Sequence, residues 1–82
     1  MSSKEYSHAV LVATDVCIRL GRRIRKLRQQ RGWTQTYLAV HTGLGRPFIS
    51  NIETGKKEPC LRSLEILADG FEISLAQLFA RL

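Results

Sequence analysis

The thiols and imidazoles of this 82-residue chain are few: Cys17, Cys60, His8 and His41. Structural zinc sites place such groups two to five residues apart in pairs, and no two of these four have that spacing. The cysteines read as small apolar residues of a reducing cytoplasm, so no disulfide, metal or cofactor is expected. Gly43-Leu44-Gly45 lacks the third glycine and the preceding strand of a dinucleotide site, and no Lys-Ser/Thr phosphate loop is present. No nucleophile, base and orienting acid group together, and so short a chain has little room to wall a substrate pocket. The expectation is a binding protein and not an enzyme.

Cationic chemistry remains. Thirteen lysines and arginines against seven acids give a net charge of +6, which favours phosphates or other anionic surfaces as partners. The excess is local. Residues 16–60 carry ten basic side chains against Glu53 and Glu58, a net +8, whereas residues 1–15 and 61–82 are each at −1. A solvated helix face could by itself account for such a run. The apolar run from Ala9 to Ala13 is far shorter than the ~20 residues that cross a bilayer, so no membrane partner is expected.

The elements that must position these cations read as helices. Leu20, Ile24 and Leu27 recur at amphipathic spacing and define a first helix over about 16–31, with Asp15 as N-cap and Gly32 in the left-handed position beyond its end. Residues 1–15 are either an N-terminal arm or an extension of that helix, or they pack on a partner through Val10, Leu11 and Val12. Thr34 caps a second helix that Gly43 ends. Pro47, tolerated only in a first turn, marks a third helix through Phe48, Ile49 and Ile52 to Glu53, with Gly55 stopping it. Two short helices around a glycine-containing turn make a helix-turn-helix over about 34–53. Thr54 to Cys60 is a basic loop. A fourth helix covers about 61–71 with Gly70 weakening its end, and Ser74 caps a last short helix carrying Leu75, Leu78, Phe79 and Leu82. Alternating β-branched runs are absent, so the fold class expected is all-α.

Residues 20–79 resemble the Cro/repressor-type (XRE) helix-turn-helix family. The resemblance rests on LGRRIRKLRQQRGWTQTYLA, GLGRPFISNIETGKKEPCLRSLEILA and ISLAQLF. It is similar to small regulators such as phage repressors and restriction-modification controller proteins. It implies a five-helix lambda-repressor-like domain over 16–82, whose third helix lies in the major groove of double-stranded DNA.

Residue by residue, the resemblance implies base contacts from Arg46, bidentate to guanine, and from Asn51, bonding adenine or a phosphate. Ser50 would reach either, and Phe48 would offer a thymine methyl an apolar contact or be buried. Thr34, Gln35, Thr54, Lys56 and Lys57 match positions that grip phosphates, and Gln35 would also brace a recognition-helix side chain. Arg28 and Glu53 match an internal ion pair. Leu38, Ala39, Ile49, Ile52, Leu64 and Ala68 read as core, and Trp33 as a packing residue at the corner of the first two helices. Pro47 departs from the pattern, since it removes a polar side chain and a backbone donor from the reading surface.

Ile66, Ile73, Leu75, Phe79 and Leu82 look surplus to so small a core and mark a homodimer interface. A two-fold dimer would set two recognition helices about 34 Å apart on a pseudo-palindromic operator. The alternative function is a helix-turn-helix protein-interaction module, such as an adapter, coactivator or antitoxin-like partner, with no operator of its own.

Overall fold

A computed structural model describes the backbone from Ser3 to Leu82 and the side chains from Val16 onward. It has five helices and, among the described residues, no strand: α1 (Ser3–Gln30), α2 (Gln35–Thr42), α3 (Arg46–Glu53), α4 (Leu61–Phe71) and α5 (Leu75–Leu78). No helix of the described residues is long and apolar enough to cross a membrane.

Of the alternatives for residues 1–15, the helix extension is the one seen, and the expected N-cap is not. The first helix runs unbroken from Ser3 through Asp15, so Asp15 is an interior residue and not an N-cap. Nothing in the stretch between them opposes this, because no proline or glycine interrupts it and alanine and leucine are good helix formers. The expected packing of Val10, Leu11 and Val12 lies outside the described side chains. At the other end, Gly32 takes φ 70° and the Trp33 N–H donates to the Arg28 carbonyl at 3.1 Å. That bond spans the left-handed turn and ends the helix.

The short helices owe their limits to local chemistry. The Thr34 hydroxyl accepts from the Tyr37 N–H at 3.0 Å and opens α2. Gly43, at φ 74°, closes it. Pro47 sits in the first turn of α3 after Gly45, where its missing N–H costs nothing. Gly70 does not close α4 early: the helix continues through Phe71, and Glu72 at φ 58° takes the left-handed position. Gly70 is there for close approach, since a Cβ would meet Thr42 Cγ2 at 2.8 Å. Its carbonyl accepts from His41 Nε2 at 3.0 Å. Ser74 and Gln77 form a reciprocal capping box on α5, which lets so short a helix hold its first turn.

Each helix contributes to one core. Leu20, Ile24 and Leu27 of α1 meet Leu38 and Ala39 of α2, Ile49 and Ile52 of α3, Leu67, Ala68 and Phe71 of α4, and Leu78 of α5, all buried. Full burial of such a side chain contributes ~1.5–3 kcal/mol. Leu64 is only half-buried against this cluster. Trp33 lies on it with its ring stacked 5.7 Å from Phe71, which is the packing role expected. The cysteines depart from expectation. Cys17 is half-buried and Cys60 exposed, because Cys60 occupies the N-cap position of α4, where its Sγ lies 3.3 Å from the Ser63 hydroxyl.

Candidate nucleic-acid interface

The candidate surface is one side of α3. Its spacing divides eight residues cleanly: Ile49, Ile52 and Glu53 are buried, while Arg46, Pro47 and Asn51 are exposed and Ser50 half-exposed. Positions 46, 47, 50, 51 and 54 follow i, i+1, i+4, i+5 and i+8, so they form a single stripe along the helix. Arg46 stands at its first residue and Thr54 just past its last.

Burial of Ile49 and Ile52 seats the stripe on the core, and an ion pair fastens its end. Arg28 Nε donates to Glu53 Oε2 at 2.7 Å and Arg28 Nη2 to Glu53 Oε1 at 2.9 Å. This fork-to-fork pair, with side chains 11% and 2% exposed, ties the end of α1 to the end of α3. Arg28 Nη1 donates in addition to the Trp33 carbonyl at 2.8 Å. The hydrogen bonds it donates to Glu53 raise the Arg28 pKa above its ordinary value, against the opposing effect of burial. The expected internal ion pair is therefore present.

Gln35 completes that network. Its Nε2 donates to Glu53 Oε1 at 3.1 Å, so the first residue of α2 braces the last of α3. The bracing role is the one seen, and the amide nitrogen expected to grip phosphate already gives one proton to Glu53. Thr34 and Thr54 are engaged in a similar way. The Thr34 oxygen caps α2, and the Thr54 hydroxyl donates to the Ser50 carbonyl at 2.9 Å. Its single proton is thus spent inside the helix end, leaving the oxygen as an acceptor.

The basic loop is folded against α3. Gly55 takes φ 75°, and the N–H groups of Lys56 and Lys57 both donate to the Asn51 carbonyl, at 2.9 and 3.2 Å. Both lysine side chains are exposed at the end of the stripe. Phe48 settles between its two expected roles. It is half-buried against the core, and Lys57 Nζ stands 5.2 Å from its ring centre, an attraction of about 0.5–1 kcal/mol at an exposed site.

Two positioning features were missed from the sequence. Gly21 sits mid-helix in α1 where a Cβ would lie 2.7 Å from the Glu53 carbonyl oxygen and would also clash with that of Ile52, so its absence of side chain sets how closely α3 can approach. A glycine inside an otherwise strong helix former was the available signal. Arg19 and Arg23 reach the far end of the chain, donating to the Leu82 carbonyl at 2.6 Å and the Gln77 carbonyl at 2.8 Å. Nothing in their spacing indicated that.

The residues of the expected dimer patch are partly covered by the chain itself. Ile73, Leu75 and Leu82 pack partly against the protein's own core, and Ile66 is half-buried. Of the five, Phe79 alone is exposed, at 37%.

Comparison with known proteins places this geometry. Residues 24–78 match the family model described as helix-turn-helix, a span that covers the last seven residues of α1 and all of α2 to α5. The control protein C.MunI of a Mycoplasma species is 36% identical over 67 residues, covering 80% of this chain and 90% of its own. A competence pilus inhibition repressor of Acinetobacter baylyi is 40% identical over 60 residues, 73% of this chain, and the match spans 54% of that repressor's length. Among solved structures, the restriction-modification controller protein C.AhdI of Aeromonas hydrophila superposes with a TM-score of 0.75 at 32% identity, over 77% of this chain and 96% of that one. The controller C.Esp1396I, solved as a tetramer in complex with its natural 35 base-pair operator, gives a TM-score of 0.73 at 33% identity over 78% of this chain and 84% of that one. With two thirds of its length inside the family model and this likeness to solved controller proteins, the chain belongs to the helix-turn-helix family of DNA-binding regulators.

Proposed function

We propose that this protein is a sequence-specific transcriptional regulator that binds double-stranded DNA as a homodimer, with α3 in the major groove. One observation carries the reading. The exposed stripe from Arg46 to Asn51 stands on a helix whose opposite side is buried and fastened by a bidentate ion pair, with two exposed lysines at its end. That is a rigid element with base-reading groups along it and phosphate-reading groups flanking it. The related controller solved on its operator supports the same docking.

In this reading Arg46 and Asn51 read base edges, with Ser50 and the rim of Phe48 beside them, and Lys56 and Lys57 hold phosphates. Gln35 and Thr34 meet the backbone from the other side of the groove through the protons they have left, and Thr54 acts on α3 itself. The DNA-binding unit is residues 16–82, with 1–15 appended to it. Phe79 centres the dimer contact, flanked by Ile66, Ile73, Leu75 and Leu82, and the two-fold sets the half-sites one helical turn apart. The activity is binding alone, exercised in the cytoplasm.

Selection from a randomised duplex library tests this. The expected product is a family of pseudo-palindromic sequences bound by two protomers. Equal binding to all duplexes, or a 1:1 complex at saturating protein, would overturn it.

A further inference from the structure

Four cations of α1 collect in a second place. A groove of about 270 Å³ runs between α1 and the C-terminal segment, lined by Arg19, Arg22, Arg23, Lys26, Gln30 and Arg81 with Leu82. No Asp or Glu is among its described lining side chains. Arg23 is fixed there by the Gln77 and Leu78 carbonyls, at 2.8 and 3.4 Å. The side chains of Arg22, Lys26 and Arg81 make no hydrogen bond or ion pair with any described residue. Arg81 reaches the groove from a left-handed backbone position, φ 63°, a conformation that non-glycine residues take at a cost.

This groove is not the back of the DNA-reading face. Gly21 marks the side of α1 that meets α3. At about 100° per residue, Lys26 lies about 140° around the helix from Gly21 and Arg23 about 160°. The groove therefore faces away from α3, and a duplex seated on Arg46 and Asn51 leaves it open.

We infer that this groove is a second anion site, taking a compact polyphosphate of the di- or triphosphate type. Crowding several like charges is unfavourable unless an anion of matching charge density enters. A single carboxylate would leave most of them unpaired. A polyphosphate brings several charges and many acceptor oxygens, which suit guanidinium forks. The hollow is walled on one side by the C-terminal segment, so it admits a small ligand in preference to the broad convex backbone of a duplex.

The probe is inorganic tripolyphosphate, titrated calorimetrically into the full chain at fixed ionic strength. The expected result is saturable binding of one anion per protomer. Arg22→Gln with Lys26→Gln should weaken it at least tenfold, and Arg81→Gln alone should weaken it measurably. Both variants alter exposed side chains, and unchanged circular dichroism would verify their folding. Arg46→Ala with Lys56→Ala and Lys57→Ala should leave the tripolyphosphate affinity within twofold of the parent. No saturable binding, binding indifferent to the groove variants, or binding lost in the α3 and loop variants would each overturn the assignment. A short duplex of random sequence that competes tripolyphosphate away from the α3 and loop variant would overturn it as well, since it would make the groove a nucleic-acid surface.

Discussion

Replacing Glu53 with alanine strands a buried cation, and its cost can be worked from the contacts. The substitution removes the acceptor of three hydrogen bonds, two from Arg28 and one from Gln35. The Arg28 side chain, 11% exposed, keeps only the Trp33 carbonyl. Losing one member of a buried pair costs about 3–5 kcal/mol. An 82-residue domain at ~0.05–0.15 kcal/mol per residue holds about 4–12 kcal/mol in total, so a large share is lost. At roughly 4–8 °C per kcal/mol for a domain of this size, Tm should fall by about 12–40 °C in calorimetry. The control is Arg28→Met with Glu53→Leu. Removing both charges should recover most of the loss, because well-packed apolar replacements of buried pairs are often neutral or better. A residue of about 1 kcal/mol should remain for the Trp33 carbonyl, which then lacks its donor. A Glu53→Ala loss under about 1 kcal/mol would place the pair among the solvent-screened kind and refute the reasoning. A double variant no better than the single would equally do so.

Three further outcomes are expected. Gly21→Ala should destabilise by about 1–3 kcal/mol through overpacking against main-chain oxygens, despite alanine's better helix propensity, and denaturant titration checks the sign. Arg46→Ala should cost about 1–3 kcal/mol at particular base pairs, whereas Lys56→Ala should weaken all sequences alike and lower the salt slope by about one; competition binding against single-site operator variants at several salt concentrations separates the two. The Ser63 hydroxyl holds the exposed Cys60 thiol below its ordinary pKa. Its thiolate is thus populated at lower pH than in an unstructured peptide, and the midpoint of iodoacetamide alkylation should move up in Ser63→Ala. An unmoved midpoint would remove Ser63 as the cause.

Most of the fold was legible because its punctuation is chemical. Thr34, Gly43, Pro47, Gly55 and Ser74 each act through a local rule, a cap or a required backbone angle, that needs no tertiary knowledge. The Asp15 cap was misassigned for the converse reason, and of the alternatives left open for residues 1–15 the extension is the one seen. Asp15 has the right chemistry for a cap, but a helix needs a reason to stop, and nothing preceding Asp15 supplies one. Local rules also failed at Gly70, where propensity argued for fraying and close approach to Thr42 decided otherwise. The sequence leaves the apolar C-terminal residues undivided, because hydrophobicity alone cannot say which of two surfaces, the chain's own core or a partner, will cover a side chain. Ile73, Leu75 and Leu82 are partly buried against the core.

The reading surface is defined as much by what the fold consumes as by what it displays. Each polar side chain near α3 has a limited number of protons and lone pairs. Arg28, Gln35 and Thr54 commit theirs to Glu53, Trp33 and Ser50, and each commitment fixes where α3 lies or how it ends. Arg46, Asn51 and Lys56 make no side-chain hydrogen bond or ion pair with any described residue and stand exposed on the element so fixed. Specificity needs both groups, because a guanidinium discriminates bases only if its helix cannot slide to meet another. The net charge of +6 is therefore a poor measure of affinity for DNA. Arg28 is neutralised internally, and the α1 cations of the groove lie about 100–160° around the helix from the side that meets α3. The phosphate-facing charge reduces to a few side chains, and their value comes from the neutral and paired residues that hold α3 still.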